Sequence, residues 1–152
     1  MKKLEFKVQI NASSKKVYET MLGLVHKTTY ENWTAEFNPT STYEGSWNKG
    51  DKICFVGTDE NGKRGGMVSE IAENIPFTVV SIRHNGILDG ETEITSGVQV
   101  ESWSGGLENY FFEEIDGVTS LKVEVDADEN YVDYISETWP KALQKLKEIT
   151  EN

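Results

Sequence analysis

The last stretch of the chain, Glu129 to Ile149, constrains the fold more than any other part of the sequence. At about 100° per residue, its apolar side chains fall on one stripe of a helix, and the opposite arc is polar apart from Pro140. The stripe contains Tyr131, Ile135, Ala142, Leu146 and Ile149, widened by Val132, Trp139 and Leu143. Such a helix packs its stripe against an apolar surface, so the rest of the chain has to supply that surface. Pro140 predicts either a bend in the helix or a restart near Trp139.

Most of the chain before this helix has the patterns of β-strands. Leu4 to Ile10 alternates apolar and polar residues, which is typical of a half-buried strand. Asn61-Gly62 and Asp116-Gly117 are strong hairpin-turn signals, so the strands are expected to form an antiparallel meander. The predicted strands are Leu4–Ile10, Ser41–Trp47, Lys52–Gly57, Gly65–Glu73, Phe77–His84, Leu107–Ile115 and Val118–Asp126.

Three segments lie outside this strand pattern. Asn11 and Ser13 or Ser14 supply N-cap oxygens for a first helix that runs to about Val25. His26 to Asn38 has no clear period and is predicted as a connector with at most one further helical turn. Asn85 to Gly105 is broken by glycines and is predicted as irregular chain, either a lid or binding loop or an ordinary surface extension.

The turn at Asp116-Gly117 predicts the register of the last hairpin. With Ile115 opposite Val118, one face of the hairpin is largely apolar, and we assign that face to the terminal helix with Trp139 at the middle of the contact. The paired residues of this face are Phe112 with Leu121, Tyr110 with Val123, and Glu108 with Val125.

The composition and charge restrict the classes of function. The 152 residues fit a single α+β domain, 1–152, with helices on one face of an antiparallel sheet. The net charge of −11 opposes binding to nucleic acid. One cysteine, no apolar leader and no membrane-spanning run predict a cytoplasmic protein that does not insert into a membrane.

The order of these motifs resembles the START-related (SRPBCC) superfamily and, within it, the Aha-type domain named after the activator of a heat-shock protein ATPase. The matching residues are Ile10-Asn11-Ala12-Ser13 with Val17-Tyr18, Trp33, Trp47-Asn48-Lys49-Gly50-Asp51, Gly66 to Ile71 with Pro76, Asp116 to Leu121, and Trp139 with Leu143 and Leu146. The resemblance covers the whole chain. It implies a helix-grip fold, in which a curved antiparallel sheet of six to seven strands wraps around the long C-terminal helix and encloses an apolar cavity.

The candidate site residues are those expected to face this cavity. Two histidines and one cysteine, without ligand spacing, predict no metal site, and we expect no cofactor. His84 ends a strand and is the best polar candidate at the cavity mouth, although the preferred interpretation of a strand-end histidine is that it is merely hydrogen-bonded. His84 or Arg83 could hold an anionic head group, but both cannot point inward. The predicted ligand-binding residues are Trp33, His84, Trp103, Tyr110, Phe112, Leu121, Val123 and Trp139, of which the aromatic ones are alternatively core.

Three functions fit this reading. The first is non-covalent binding of a small hydrophobic or amphipathic molecule between the sheet and the terminal helix. The second is an interaction domain that stimulates a chaperone ATPase, as the resemblance implies, although the chain lacks the additional domain expected of the full co-chaperone. The third is a polyketide cyclase-like or hydrolase-like enzyme using His84, Tyr110 or Glu108 as acid or base. We assign no catalytic residue under the first hypothesis.

Overall fold

The computed structural model describes residues 1–152 and confirms the predicted α+β class. Eight strands and three α-helices make up the chain, with one short 3-10 helix before the last α-helix. The elements are β1 (Lys2–Ile10), α1 (Ser14–Leu22), α2 (Lys27–Thr34), β2 (Thr42–Gly45), β3 (Lys52–Thr58), β4 (Arg64–Ile75), β5 (Val79–Asp89), β6 (Thr92–Ile94), β7 (Gly106–Ile115), β8 (Val118–Ala127), the 3-10 helix (Glu129–Tyr131) and α3 (Val132–Glu151).

The strands form one open antiparallel sheet in the order β1-β8-β7-β5-β4-β3-β2, with β6 paired to β5 beside this path. The sheet has one strand more than predicted because β5 continues through Asp89, turns at Gly90 and returns as β6. The expectation that Asn85 to Gly105 is irregular is therefore wrong for its first half, which lies in β5, β6 and the turn between them. Asp89-Gly90, which looked like a break, leads into a hairpin turn in which Gly90 and Glu91 connect Asp89 to its partner Thr92, with Gly90 at φ 64°.

The predicted register of the β7–β8 hairpin is confirmed. Ile115 lies opposite Val118, and every pair inferred from the turn is observed. Asp116 and Gly117 both have positive φ, at 53° and 80°, as a two-residue type I′ turn requires.

The segment predicted as a connector is a second helix, α2. Ser13 caps α1 by accepting from the Lys16 amide, and Gly23 ends it in the left-handed conformation. α2 then begins after His26, which makes no side-chain cap bond, so the usual sequence signal for a helix start is missing. The prediction was wrong because α2 is stabilised by tertiary packing of its buried face, Tyr30, Trp33 and Thr34, rather than by local propensity.

The terminal helix α3 is continuous from Val132 to Glu151, so the restart near Trp139 is wrong. Pro140 lies inside it on the exposed side. Its buried face is centred on Trp139, Ala142, Leu143 and Leu146, as predicted, whereas Tyr131 is 60% exposed and lies in the preceding 3-10 helix.

The closest neighbours of α3 are β1 and α2. The hairpin residues Tyr110, Phe112, Leu121 and Val123 share its hydrophobic core, but α1 is the helix that contacts β7 and β8 most, and Tyr110 is the hairpin ring that packs on Trp139. None of the three α-helices has the length and apolar content needed to cross a membrane.

Candidate functional site

A cavity of about 840 Å³ lies between the sheet and the helices α2 and α3. It is lined by 34 residues from α2, β3, β4, β5, β7, β8 and the start of α3, and 16 of them are hydrophobic. Nine of these are aromatic, so rings form much of the wall. The aromatic lining residues are Tyr30, Trp33, Phe37, Phe55, Trp103, Tyr110, Tyr131, Tyr134 and Trp139.

Five of the eight predicted site residues line this cavity: Trp33, His84, Trp103, Tyr110 and Trp139. The other three are buried in the core outside the lining. Phe112 packs edge-on against Tyr18, with ring centroids 5.7 Å apart, and Leu121 and Val123 are at most 1% exposed. The alternation of side chains along the strands predicts that the strand residues among them share one sheet face. It does not show which part of that face is covered by helices.

Trp139 belongs both to the core and to the cavity wall. It is 4% exposed, and its ring lies 5.6 Å from that of Trp33, 5.2 Å from that of Phe37 and 6.1 Å from that of Tyr110. On its other side it stacks on Phe6 of β1 at 6.2 Å. The sequence left open whether Trp139 belongs to the core or to the pocket wall. In the structure it belongs to both.

A chain of polar side chains runs along the sheet beneath the cavity. Ser69 Oγ lies 2.7 Å from His84 Nδ1, and His84 Nε2 lies 3.1 Å from Glu108 Oε1. The Tyr110 hydroxyl donates to the other carboxylate oxygen of Glu108. When Nε2–H of a neutral His84 donates to Glu108, Nδ1 is left to accept the Ser69 hydroxyl proton, so every member has a partner.

These four residues meet because β4, β5 and β7 are adjacent strands. Ser69 is paired with His84, and His84 is paired with Gly106, two residues before Glu108. Glu108 and Tyr110 are also two residues apart and share a face. The sequence reading named His84, Glu108 and Tyr110 separately and missed Ser69, because β4 changes register between Val68 and Ser69. The position of such a bulge is not visible in the sequence, so the residue opposite His84 could not be predicted.

The Ser69–His84–Glu108 order has the residue types of a nucleophilic triad but not its accessibility. Ser69 is 1% exposed and does not line the cavity, so its oxygen faces the protein interior. The cavity side of the chain is formed instead by His84, Glu108 and Tyr110. Ser69 therefore orients the imidazole, and the groups that a bound molecule meets are an imidazole, a carboxylate and a phenol.

The Glu108 carboxylate affects two buried phenols. Burial raises the pKa of Tyr110 well above its ordinary value, and the charge of Glu108 and its hydrogen bond with Tyr110 raise that pKa further. Burial likewise raises the pKa of Tyr30 well above its ordinary value, with the Glu108 charge as the next largest cause. Both hydroxyls stay protonated at neutral pH.

The charged residues of the lining are mostly acidic, and its basic residues are already paired. Lys63 lies 2.5 Å from Asp89, and Arg64 forms a two-pronged ion pair with Glu44. The lining carboxylates are Asp59, Asp89, Glu108, Asp126 and Asp128. Arg83 does not line the cavity and pairs with Glu70 at 2.9 Å. The suggestion that Arg83 or His84 holds an anionic head group is not supported by this arrangement, because both are engaged with carboxylates.

The remaining reactive groups are not at the cavity. Cys54 is buried outside the lining, and burial raises the pKa of its thiol, which disfavours the reactive thiolate. No group of three or more histidine, cysteine, aspartate or glutamate side chains is placed to hold a metal ion.

The strand order and the long terminal helix packed on the sheet define an α+β helix-grip fold. Among solved structures, the Aha1 dimer from Colwellia psychrerythraea is 20% identical with a TM-score of 0.70, over 99% of this chain and 97% of that chain. The AHSA1-like protein from Aeromonas hydrophila is 13% identical with a TM-score of 0.71, over 97% of this chain and 90% of that one.

A third similar structure is protein NE0264 from Nitrosomonas europaea, 12% identical with a TM-score of 0.71 over 97% of this chain and 93% of that one. At these identities the likeness shows the fold. Comparison of the sequence with known families and with characterised proteins finds no match.

Proposed function

We propose that this protein binds a small hydrophobic or amphipathic molecule, without changing it covalently, in the cavity between the sheet and helices α2 and α3. The cavity itself carries the proposal. Its volume of about 840 Å³ lies within the range of about 300–1,000 Å³ that ligand pockets occupy. A wall of rings with a few convergent polar groups is the composition that such pockets share.

The proposed binding residues divide by chemistry. Trp103 is the most exposed of the three tryptophans in the wall, Trp33 and Trp139 form nearly buried parts of it, and His84 with Tyr110 belongs to the polar part of the wall. Phe112, Leu121 and Val123 act one layer away by fixing β7 and β8 in the core.

Non-covalent binding fits the reactive groups better than turnover. The third hypothesis, an acid or base in a cyclase-like enzyme, keeps some support because His84, Glu108 and Tyr110 line the cavity. However, these groups are hydrogen-bonded to one another, and Ser69, the serine that contacts His84, is buried away from the cavity. Their arrangement favours recognition of a polar group.

A cavity-filling variant tests the proposal. Met67 lines the cavity, so Met67→Trp is expected to abolish saturable binding of the neutral fluorescent probe N-phenyl-1-naphthylamine. The matched control is Val98→Trp, since Val98 is 80% exposed and outside the lining. Equal loss in both variants, or saturable binding unchanged by Met67→Trp, would contradict binding in this cavity. Native mass spectrometry of freshly purified protein, followed by extraction, would then identify a natural ligand.

The Aha-type fold favours a second candidate, an interaction domain that acts on a chaperone ATPase. The chain spans 97% of the Aha1 structure from Colwellia psychrerythraea, so a missing domain does not separate the two. Addition of the protein to a purified chaperone of this class tests the candidate. We expect a rise in ATP turnover if the interaction exists, and unchanged turnover at saturating protein would exclude it.

A further inference from the structure

We propose that the polar end of the ligand is an organic cation, an ammonium group that docks on Glu108 within the surrounding aromatic rings. This inference rests on the proposed binding function and adds the chemical class of the ligand. Two separate features of the cavity support it. The first is a carboxylate in the wall that can accept further hydrogen bonds and has no basic partner, and the second is the set of aromatic rings in the same wall.

The carboxylate of Glu108 can accept more hydrogen bonds than it does in the structure. It accepts one hydrogen bond on each oxygen, from His84 and from Tyr110, whereas a carboxylate offers about four acceptor positions. Its side chain is only 18% exposed, so little water screens its charge. No lysine or arginine is paired with it, because the basic lining residues Lys63 and Arg64 are held by Asp89 and Glu44. A cationic ligand would supply the missing countercharge.

The rings near Glu108 form the kind of wall that organic cations occupy. Phe55 lies 6.0 Å from the His84 ring and 6.2 Å from the ring of Tyr30, and Tyr110 lies 6.1 Å from Trp139. Aromatic faces attract a cation placed within about 6 Å of the ring centre, and the attraction is larger when water is excluded. Glu108 is bonded to both His84 and Tyr110 and lines the same cavity as Phe55, Tyr30 and Trp139.

An anionic head group would be disfavoured in this cavity. The lining holds five carboxylates against two basic side chains that are already paired, so its net charge repels an anion, and neither nitrogen of His84 is free to donate to one. The Tyr110 hydroxyl is likewise engaged by Glu108. A neutral hydroxyl could hydrogen-bond to Glu108, but it would gain neither the charge interaction nor the full attraction of the rings.

Three probes with the same alkyl chain test the charge preference in the wild-type protein: octyltrimethylammonium, octanol and octanoate. Isothermal titration calorimetry measures the dissociation constant of each probe. We expect octyltrimethylammonium to bind at least about tenfold more tightly than octanol, and octanoate to bind least. Glu108→Gln, which keeps the size of the side chain, should remove most of the cation preference. Glu113→Gln is the matched control, since Glu113 is exposed on the same strand and outside the lining.

The outcomes separate this inference from the proposed function. Equal affinity for the three probes, or a cation preference that survives Glu108→Gln, would overturn the cation site while leaving ligand binding in place. Absence of saturable binding for all three probes would overturn both. Loss of the preference in Glu108→Gln but not in Glu113→Gln supports both, with circular dichroism showing that the two variants remain folded.

Discussion

The imidazole of His84 lies in the sheet with Nε2 3.1 Å from Oε1 of Glu108, and this contact links the β-sheet core to the cavity. Behind it, Ser69 holds the other ring nitrogen, and in front of it Tyr110 holds the other carboxylate oxygen. The chain therefore fixes a carboxylate at the cavity wall from both sides. Any change to one member should be detected at the others, which makes the chain accessible to experiment.

Removing the charge of Glu108 should lower the pKa of Tyr110 and of Tyr30. Both values are raised first by burial and then by the Glu108 charge, so Glu108→Gln removes the second cause and leaves the first. Both pKa values should fall and still remain above the ordinary tyrosine value. Carbon-13 NMR of the tyrosine rings during an alkaline titration measures them, with Glu113→Gln as the charge-matched control. Unchanged values in Glu108→Gln would contradict the coupling.

The same raised pKa values predict sensitivity to alkali. A folded-state pKa above that of the unfolded chain contributes stability that is fully present below the ordinary tyrosine pKa of 10.0 and is lost as pH rises through the folded value. Denaturant unfolding at a series of pH values should therefore show falling stability above this pH, and in Glu108→Gln the fall should end at a lower pH and be smaller in total. A fall over the same pH range and of the same total size in Glu108→Gln would show that burial alone raises the two pKa values.

Ser69→Ala should destabilise the fold although it removes a single oxygen. Ser69 is 1% exposed, and its loss leaves His84 Nδ1 without its partner in a site that is closed to water on that side. A buried polar group left unpaired costs about 1–3 kcal/mol. Ser104→Ala, which removes an exposed hydroxyl bonded to the Asn85 carbonyl, should change stability by about 0.5 kcal/mol or less. Equal effects of the two substitutions in urea unfolding would contradict the structural role of Ser69.

Trp139→Ala should cost far more stability than Trp103→Ala. Trp139 is 4% exposed and touches Phe6, Trp33 and Phe37, whereas Trp103 is half-buried at the cavity wall. Truncating a buried tryptophan costs about 3–5 kcal/mol, which lowers the melting temperature of a domain of this size by roughly 6–20 °C. Differential scanning calorimetry measures both variants. We expect Trp103→Ala to keep most of the stability but to weaken probe binding, and a similar loss of melting temperature in both would contradict this division.

Local chemistry made much of the fold predictable. The alternation in β1, the Asp116-Gly117 turn and the helical period around Trp139 each dictate one element, and the turn also dictates the pairing of Tyr110 with Val123. α2 was missed because no cap marks its start, and its buried face is stabilised by distant parts of the chain. Fold class is therefore determined by patterns that are short in sequence.

The candidate site was predictable only in part. His84, Tyr110 and Trp139 were identified because a polar strand end and large rings on an inward face are visible in sequence. Their connection through Glu108 and Ser69 depends on the pairing of three strands and on a bulge at Val68/Ser69. Phe112 was predicted to line the cavity because the alternation along a strand shows which sheet face a side chain lies on, but not which part of that face stays open. In the structure, the ring of Tyr18 packs against Phe112. Cavities are set by which helices cover which part of a sheet, and that information is not local.

Pro140→Ala should stabilise the protein, because the proline interrupts a helix that is otherwise continuous. Pro140 has no amide hydrogen, so the carbonyl of Ser136 loses its helical partner, and the ring is exposed rather than packed. Alanine is favoured over proline inside a helix by about 3 kcal/mol, and part of this is offset because proline also restricts the unfolded chain. A gain of about 1–3 kcal/mol in urea unfolding is expected, with Lys141→Ala on the same exposed side as a near-neutral control. A loss of stability would contradict this account and would mean that Pro140 helps to position Trp139 against Trp33, and probe binding should then weaken in the same variant.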